Sequence, residues 1–245
     1  MREDSRKVIG IIGGMGPEAT VDLYAKIIEE TEASRDQEHL EVVIISDPGI
    51  ADRTQAIMGS GPDPAPRMIR AARRCVGAGA DFLVMPCNAA HYFHGQIQDD
   101  VQVPVLHMIE EVSHWLSTGH PEVRVAGIMA AGGTVACGMY QQALESVGIQ
   151  PLIPDDEDQG RVTEGIYAVK SGVHHRARQL FPEVAERMLS AGAGAVIAGC
   201  TEIPLGLTEL SSGVLVDATR ILARAAVQIA SGQRVFPSIG RCCGA

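Results

Sequence analysis

Short apolar runs of about four to seven residues recur along the chain, separated by stretches in which apolar positions return every three or four residues. "VIGIIGG", "EVVIIS", "DFLVMP" and "VPVLH" lack the polar alternation of a half-exposed strand and predict strands covered on both faces. "PEATVDLYAKIIEETEAS" and "PAPRMIRAARRCVGAGA" have helical spacing, the first opening with Pro17 and Glu18 as a helix start should. The same grammar begins again with "RVAGIM" from Arg124, "QPLIP" from Gln150, "GAVIAGC" from Gly194 and "VLVD" from Val214. The pattern predicts an α/β fold of two duplicated, pseudo-symmetric α/β domains, each with a mostly parallel sheet flanked by helices.

Aligning Gly10 of "VIGIIGGMGP" with Gly127 of "VAGIMAAGGT" gives the duplication a register. The next strand-end cysteine follows 77 residues later in the first half (Cys87) and 73 later in the second (Cys200). The amphipathic "MIEEVSHWLSTGHPE" near His107 to Glu122 marks the crossing between halves, and a second crossing is expected after Gly206. The expected domains are residues 1–106 with 208–245, and residues 107–207, the final helix "ATRILARAAVQIAS" folding back onto the first. The tail "FPSIGRCCGA" has no periodicity, so Cys242 and Cys243 lack a catalytic setting.

Composition narrows the functional classes. With 46% hydrophobic, 20% charged and 4% aromatic residues, the chain reads as an ordered α/β protein. A formal net charge of -10 argues against nucleic-acid and anionic-membrane partners, which need clustered cations, so an acidic ligand must find local positive groups. The opening "MREDSRKVIGIIGGMG" fits neither a secretory leader nor a membrane span, and cytoplasm is the expected location. The six cysteines are therefore expected to be free thiols.

Cys87 and Cys200 each end a buried strand and precede small polar residues. In open α/β sheets this edge is where ligands bind. A thiol at a helix start lies near N–H donors and the positive end of the helix dipole, which favour the thiolate. A packed structural cysteine is the competing reading for either residue alone, but packing gives no reason for matched sulfurs in two halves. Cys75 and Cys137, inside helical patterns, keep the structural reading. Zinc at Cys87, His91, His94 and His107 is the other competitor, although "GCTEIP" offers no counterpart at zinc spacing, and no metal is expected. His91 reads instead as a polar support beneath the first thiol. "GIIGGMGPEAT" contains G-x-x-G and G-G-x-G but not G-x-G-x-x-G, so no nucleotide is expected; its backbone N–H groups near Met15 and Gly16 suit a carboxylate.

Taken together, "GGMGPEAT", "ADRT", "PCNAAH", "EGIYAVKSG" and "AGCTEIPL" resemble the aspartate/glutamate racemase family, most closely its cofactor-independent aspartate racemases, over roughly Val8 to Ile229. The resemblance implies two pseudo-symmetric domains with the active site in the cleft between them, a homodimer, and no cofactor. It implies that Cys87 and Cys200 are the two acid/base residues, with Cys200 acting on the L-enantiomer and Cys87 on the D-enantiomer. Racemisation removes the Cα proton from one face of a planar carbanion and returns one on the other, which requires two proton carriers. Sulfurs at near-attack distance on both faces would stand roughly 7 Å apart.

By the same resemblance Asn88 and Thr201 would hold the substrate carboxylate, with Thr134 a further donor and Met15 at the glycine turn. Arg53 and Lys170 would hold the distal carboxylate of a small acidic amino acid, Asp52 orienting Arg53 and Glu202 supporting the Cys200 thiol. Ala89 departs from the family's usual C-N-T-A-H, removing a hydroxyl worth about 1.5 to 3 kcal/mol to a charged group. Glutamate or another acidic amino acid, a related diacid isomerase or decarboxylase, and a non-catalytic binder of acidic amino acids remain open beside aspartate racemisation. The acidic runs Asp155–Asp158 and Glu29–Glu32 read as solvated faces.

Overall fold

A computed structural model describes residues 6–236, so Cys242 and Cys243 lie outside the described residues. The first half runs β1 (Ile9–Gly13), α1 (Pro17–Glu30), β2 (Val42–Ser46), α2 (Arg53–Ile57), α3 (Ala65–Gly77) and β3 (Phe82–Val84). A 3-10 segment, Asn88–Phe93, then leads into α4 (His94–Asp100) and α5 (Met108–Gly119). The second half runs β4 (Val125–Ala130), α6 (Gly132–Ala136), α7 (Met139–Ser146), β5 (Gln150–Leu152), α8 (Asp156–Lys170), α9 (His174–Ser190), β6 (Ala195–Gly199), β7 (Val214–Asp217) and α10 (Ala218–Ala230).

Every strand pairing is parallel, in the orders β2-β1-β3 and β5-β4-β6-β7. The halves thus share one topology. "VPVLH" supplies only a parallel bridge, Val105 to Leu83, where the second sheet has β7, because Pro104 removes one ladder donor. The segment 208–245 expected in the first domain therefore divides. Val214–Asp217 completes the second sheet, while α10 crosses to pack on α1 as well as α5 and Phe236 beyond it meets Phe82 of β3. An edge strand with its own pairing groups is better satisfied beside β6 than left open.

The apolar runs are continuous because each sheet is covered on both faces. Ile9, Ile11, Phe82 and Val84 join Ala126, Ile128, Ala195 and Ile197 in one core, which α1, α5, α7 and α10 complete. The opposite faces build separate cores, Ile12, Leu83 and Met85 under α3 and Met129, Val196 and Ala198 under α8 and α9. Gly10 and Gly127, aligned from sequence, mark equivalent close approaches of helix to sheet. A Cβ on Gly10 would stand 3.1 Å from Cys75 Cβ, and one on Gly127 would stand 2.8 Å from Met188 Sδ. Cys75 is a core residue whose buried thiol is pushed up to about 11 by burial.

Two acidic runs do structural work that pattern alone hid. Asp155 caps α8 by accepting from the Asp158 N–H at 2.9 Å, and buried Asp158 pairs with Arg161 and Arg187, joining α8 to α9. Glu29 and Glu30 bind Arg220 and Arg224 of α10, fastening the returning helix to α1. These segments are ion-paired rather than merely solvated.

Candidate active site

The ends of β3 and β6 open into one cavity. It is lined by Met15, Asp52, Arg53, Thr54, Cys87, Asn88 and Ala89 from the first half, and by Ala131, Thr134, Lys170, Gly199, Cys200, Thr201 and Glu202 from the second. All eight candidate residues, Met15, Arg53, Cys87, Asn88, Thr134, Lys170, Cys200 and Thr201, are on that lining. Its free volume is about 30 Å³, room for a water or two. A wider chamber of about 280 Å³ shares Arg53, Lys170, Thr201 and Glu202 with it and reaches the start of α1 at Gly16 and Pro17.

Local sequence sets each group. β3 ends at Val84 and Pro86 interrupts the strand, leaving Cys87 in extended backbone as the residue before the 3-10 segment. Its carbonyl accepts from the Ala90 N–H at 3.1 Å. On the other side, the turn after β6 closes with the Ile203 N–H donating to the Cys200 carbonyl at 3.0 Å. Each sulfur therefore begins a tight turn whose carbonyl is already occupied.

The surroundings of the two sulfurs differ in charge. The Cys200 thiol donates to Glu202 Oε2 at 2.9 Å. Burial, then the Glu202 carboxylate, push this thiol well above the ordinary range, with Lys170 opposing them. Arg53 stands on the other side: burial acts to lower its guanidinium, but Cys87, Asp52 and Glu202 hold it above its usual value. Its two terminal nitrogens donate to the carbonyls of Ala51 (2.9 Å), Ile50 (3.4 Å) and Met15 (3.2 Å), while Nε has no hydrogen-bond partner among the described residues. Lys170, the last residue of α8, lies 5.4 Å from the Tyr167 ring centroid. Burial acts to lower its ammonium, but Cys200, Glu202 and Cys87 outweigh it and raise the pKa.

Some residues are held differently from their expected roles. Met15 meets Arg53 through its carbonyl, a contact the sequence reading does not anticipate. The Thr201 hydroxyl donates to Glu202 Oε2 at 3.2 Å, so in this arrangement it is not free for a substrate oxygen. Asp52 acts on Arg53 through the helix that carries it, accepting from the Gln55 N–H at 2.9 Å as the cap of α2. Asn88 Nδ2 and Thr134 Oγ1 are both buried in the lining without a hydrogen-bond partner among the described residues. Unpaired buried donors of this kind are costly unless a ligand or water meets them.

His91 supports the segment behind Cys87, its Nε2 accepting from the Met108 N–H at 2.8 Å at the head of α5. With His94 and His107 it forms a cluster of steeply inclined rings whose centroids lie 4.7 to 6.2 Å apart. Burial lowers His107 to about 3 and takes His91 well below the ordinary range, the neighbouring imidazoles adding to the effect. Among the described residues no group of three or more His, Cys, Asp or Glu side chains is arranged to hold a metal, and no helix is long and apolar enough to cross a membrane. Sequence reasoning missed Thr54 and Ala131 on the lining, and Tyr140 behind it, whose O–H donates to Asn88 Oδ1 at 2.6 Å. The available signal was a tyrosine at an apolar helical position, since a buried phenol needs an acceptor.

A family model described as Asp/Glu/Hydantoin racemase matches residues 12–226. The chain belongs to this family. It is 29% identical over 227 residues to the broad specificity amino-acid racemase RacX of Bacillus subtilis (strain 168), covering 90% of this chain and 96% of that protein. Among solved structures it is similar to the Picrophilus torridus aspartate racemase, with a TM-score of 0.83 and 29% identity over 92% of this chain and 94% of the other. An aspartate racemase homologue from Pyrococcus horikoshii gives a TM-score of 0.73 at 26% identity, covering 92% and 99% of the two chains. This racemase fold is the two-sheet α/β architecture described above.

Proposed function

We propose that this amino-acid racemase interconverts L- and D-aspartate by two-base proton transfer between Cys87 and Cys200, without a cofactor. The observation that carries the reading is the single cavity into which both strand-end sulfurs open, with Arg53 and Lys170 beside them. A substrate Cα between the sulfurs presents one face to each. Cys200 takes the proton of the L-enantiomer while Cys87 delivers one to the opposite face, and the D-enantiomer reverses the roles.

The Cys200 thiol donates to Glu202, which can take its proton before Cys200 acts as the base on the L-enantiomer, and Lys170 stands where it offsets the thiolate charge. One thiolate and one thiol are what each half-reaction needs. As the Cα proton leaves, charge flows into the substrate α-carboxylate, and donors already aimed there gain strength without reorganisation. Asn88 Nδ2 and Thr134 Oγ1 are those donors. Arg53 and Lys170 neutralise the distal carboxylate, which supplies the local cations missing from a chain of net charge -10.

The test is incubation of the enzyme with L-aspartate, then L-glutamate, in deuterated water, following Cα–H loss and chirality together. Racemisation with deuterium incorporation, retained after dialysis, is expected. Binding without exchange would make the protein a sensor and overturn the proposal, as would activity restored after dialysis only by pyridoxal phosphate or zinc. The similarity to a broad specificity racemase favours a second reading in which other amino acids are also turned over. A panel of neutral and basic amino acids in the same assay separates the two.

A further inference from the structure

Tyr140 belongs to α7 of the second half, is fully buried, and is absent from the cavity lining. It nevertheless touches both strand ends that carry the sulfurs. Its O–H donates to Asn88 Oδ1 at 2.6 Å, on the residue after Cys87. Its ring lies against Gly199, the residue before Cys200: a Cβ there would stand 3.1 Å from Tyr140 Cε2. We propose that Tyr140 is a positioning residue that sets the orientation of the Asn88 amide and its register against the Cys200 strand end.

The argument concerns which end of the amide faces the substrate. An amide offers an acceptor oxygen and a donor nitrogen, and only the nitrogen suits a carboxylate. With the phenolic hydrogen on Oδ1, Nδ2 is left as the free end, and it is the atom found buried and unpartnered. A flipped amide would oppose its oxygen to the carboxylate and strand the phenolic hydrogen, whose one hydrogen bond among the described residues is to Asn88. Burial raises the phenol above its ordinary range, so it remains a neutral donor at any working pH. The ring packs against Gly199 in its own half while the hydroxyl reaches Asn88 in the first, so one side chain spaces the two strand ends.

This inference rests on the reading above that Asn88 holds the α-carboxylate. Tyr140→Phe keeps the ring and removes only the donor. It is expected to lower kcat/KM by about 10-fold, mainly in kcat because the donor matters most as charge develops, within the range for loss of such a donor. In an Asn88→Ala background the same change should add less than about 2-fold, since residues acting as a unit are not additive. If Tyr140→Phe does not fold, Gly199→Ala, which crowds Tyr140 Cε2 together with Ala130 Cβ and the Met129 carbonyl, should lower kcat by a factor that shrinks in that background. Wild-type activity with a folded Tyr140→Phe enzyme, or a full 10-fold further loss on top of Asn88→Ala, would overturn this inference alone. An unsubstituted enzyme that neither racemises nor exchanges any amino acid would instead remove the catalytic reading, and this inference with it.

Discussion

Cys87 and Cys200 end corresponding strands, yet the first stands beside a guanidinium and the second donates to a carboxylate. Duplication alone would make the two sites alike. The difference shows how a symmetric fold supplies an asymmetric acid/base pair: the backbone repeats the position of the sulfur, while side chains from α2 and the turn after β6 divide the charge.

The largest effect tests the pair itself. Cys87→Ser and Cys200→Ser should each lower racemisation by about 10² to 10⁴-fold, the usual worth of a positioned acid or base. Because the two enantiomers are equal in free energy, kcat/KM must fall equally in both directions, and chirality measured from each side checks this. Next comes charge. At pH 7 iodoacetamide should label Cys200 slowly, as the thiolate is the nucleophile and burial beside Glu202 disfavours it. Glu202→Gln should speed Cys200 labelling by about 10-fold, one unit of thiol pKa; an unchanged rate would break the comparison. A smaller gain is expected from Ala89→Thr, which returns a hydroxyl to the cavity: kcat/KM for aspartate should rise by up to about 10-fold, the size of one hydrogen bond to a charged group.

The halves also differ in how their last helices are capped. His107 caps α5 and Asp217 caps α10, each accepting from the N–H three residues on. His107 titrates near 3 in the folded protein, well below its ordinary 6.5, so the unfolded chain binds more protons between these values. Stability is thus fully present above pH 6.5 and falls as pH drops toward 3, by up to about 1.4 kcal/mol per pH unit for one proton. His107→Asn, which retains a good cap, should flatten that slope in denaturant titrations. The smallest effect belongs to Asp47, held at about 2 chiefly by Arg67 on the rim of the first half. Its contribution is present above pH 3.8 and lost on the way to 2, and Asp47→Asn should cost less than about 1 kcal/mol near neutral pH.

The strands and sulfurs were legible because a buried parallel sheet writes a continuous apolar run, and because the ligand edge lies where that run ends. The Gly10–Gly127 alignment held for a physical reason: both glycines let a helix side chain reach the sheet. Roles that depend on contacts across the two halves were not legible. Tyr140 looked like any apolar helical position, Asp158 like a surface acid, and the Thr201 hydroxyl like a free donor until Glu202 was seen to take it. The boundary after Gly206 separated Val214–Asp217 from the second half, although the apolar pattern groups it there, and strand pairing beside β6 restores that grouping. The same limit applied to Asn88, whose identity was readable but whose amide orientation depends on a phenol 52 residues away.

The division of labour between the sulfurs is tested most directly by Cα hydrogen exchange in deuterated water, enantiomer by enantiomer, in the two single serine variants. Cys200→Ser should lose exchange from L-aspartate and retain it from D-aspartate without inversion, and Cys87→Ser should do the reverse. Equal exchange of both enantiomers in either variant would contradict a site in which each sulfur serves one face.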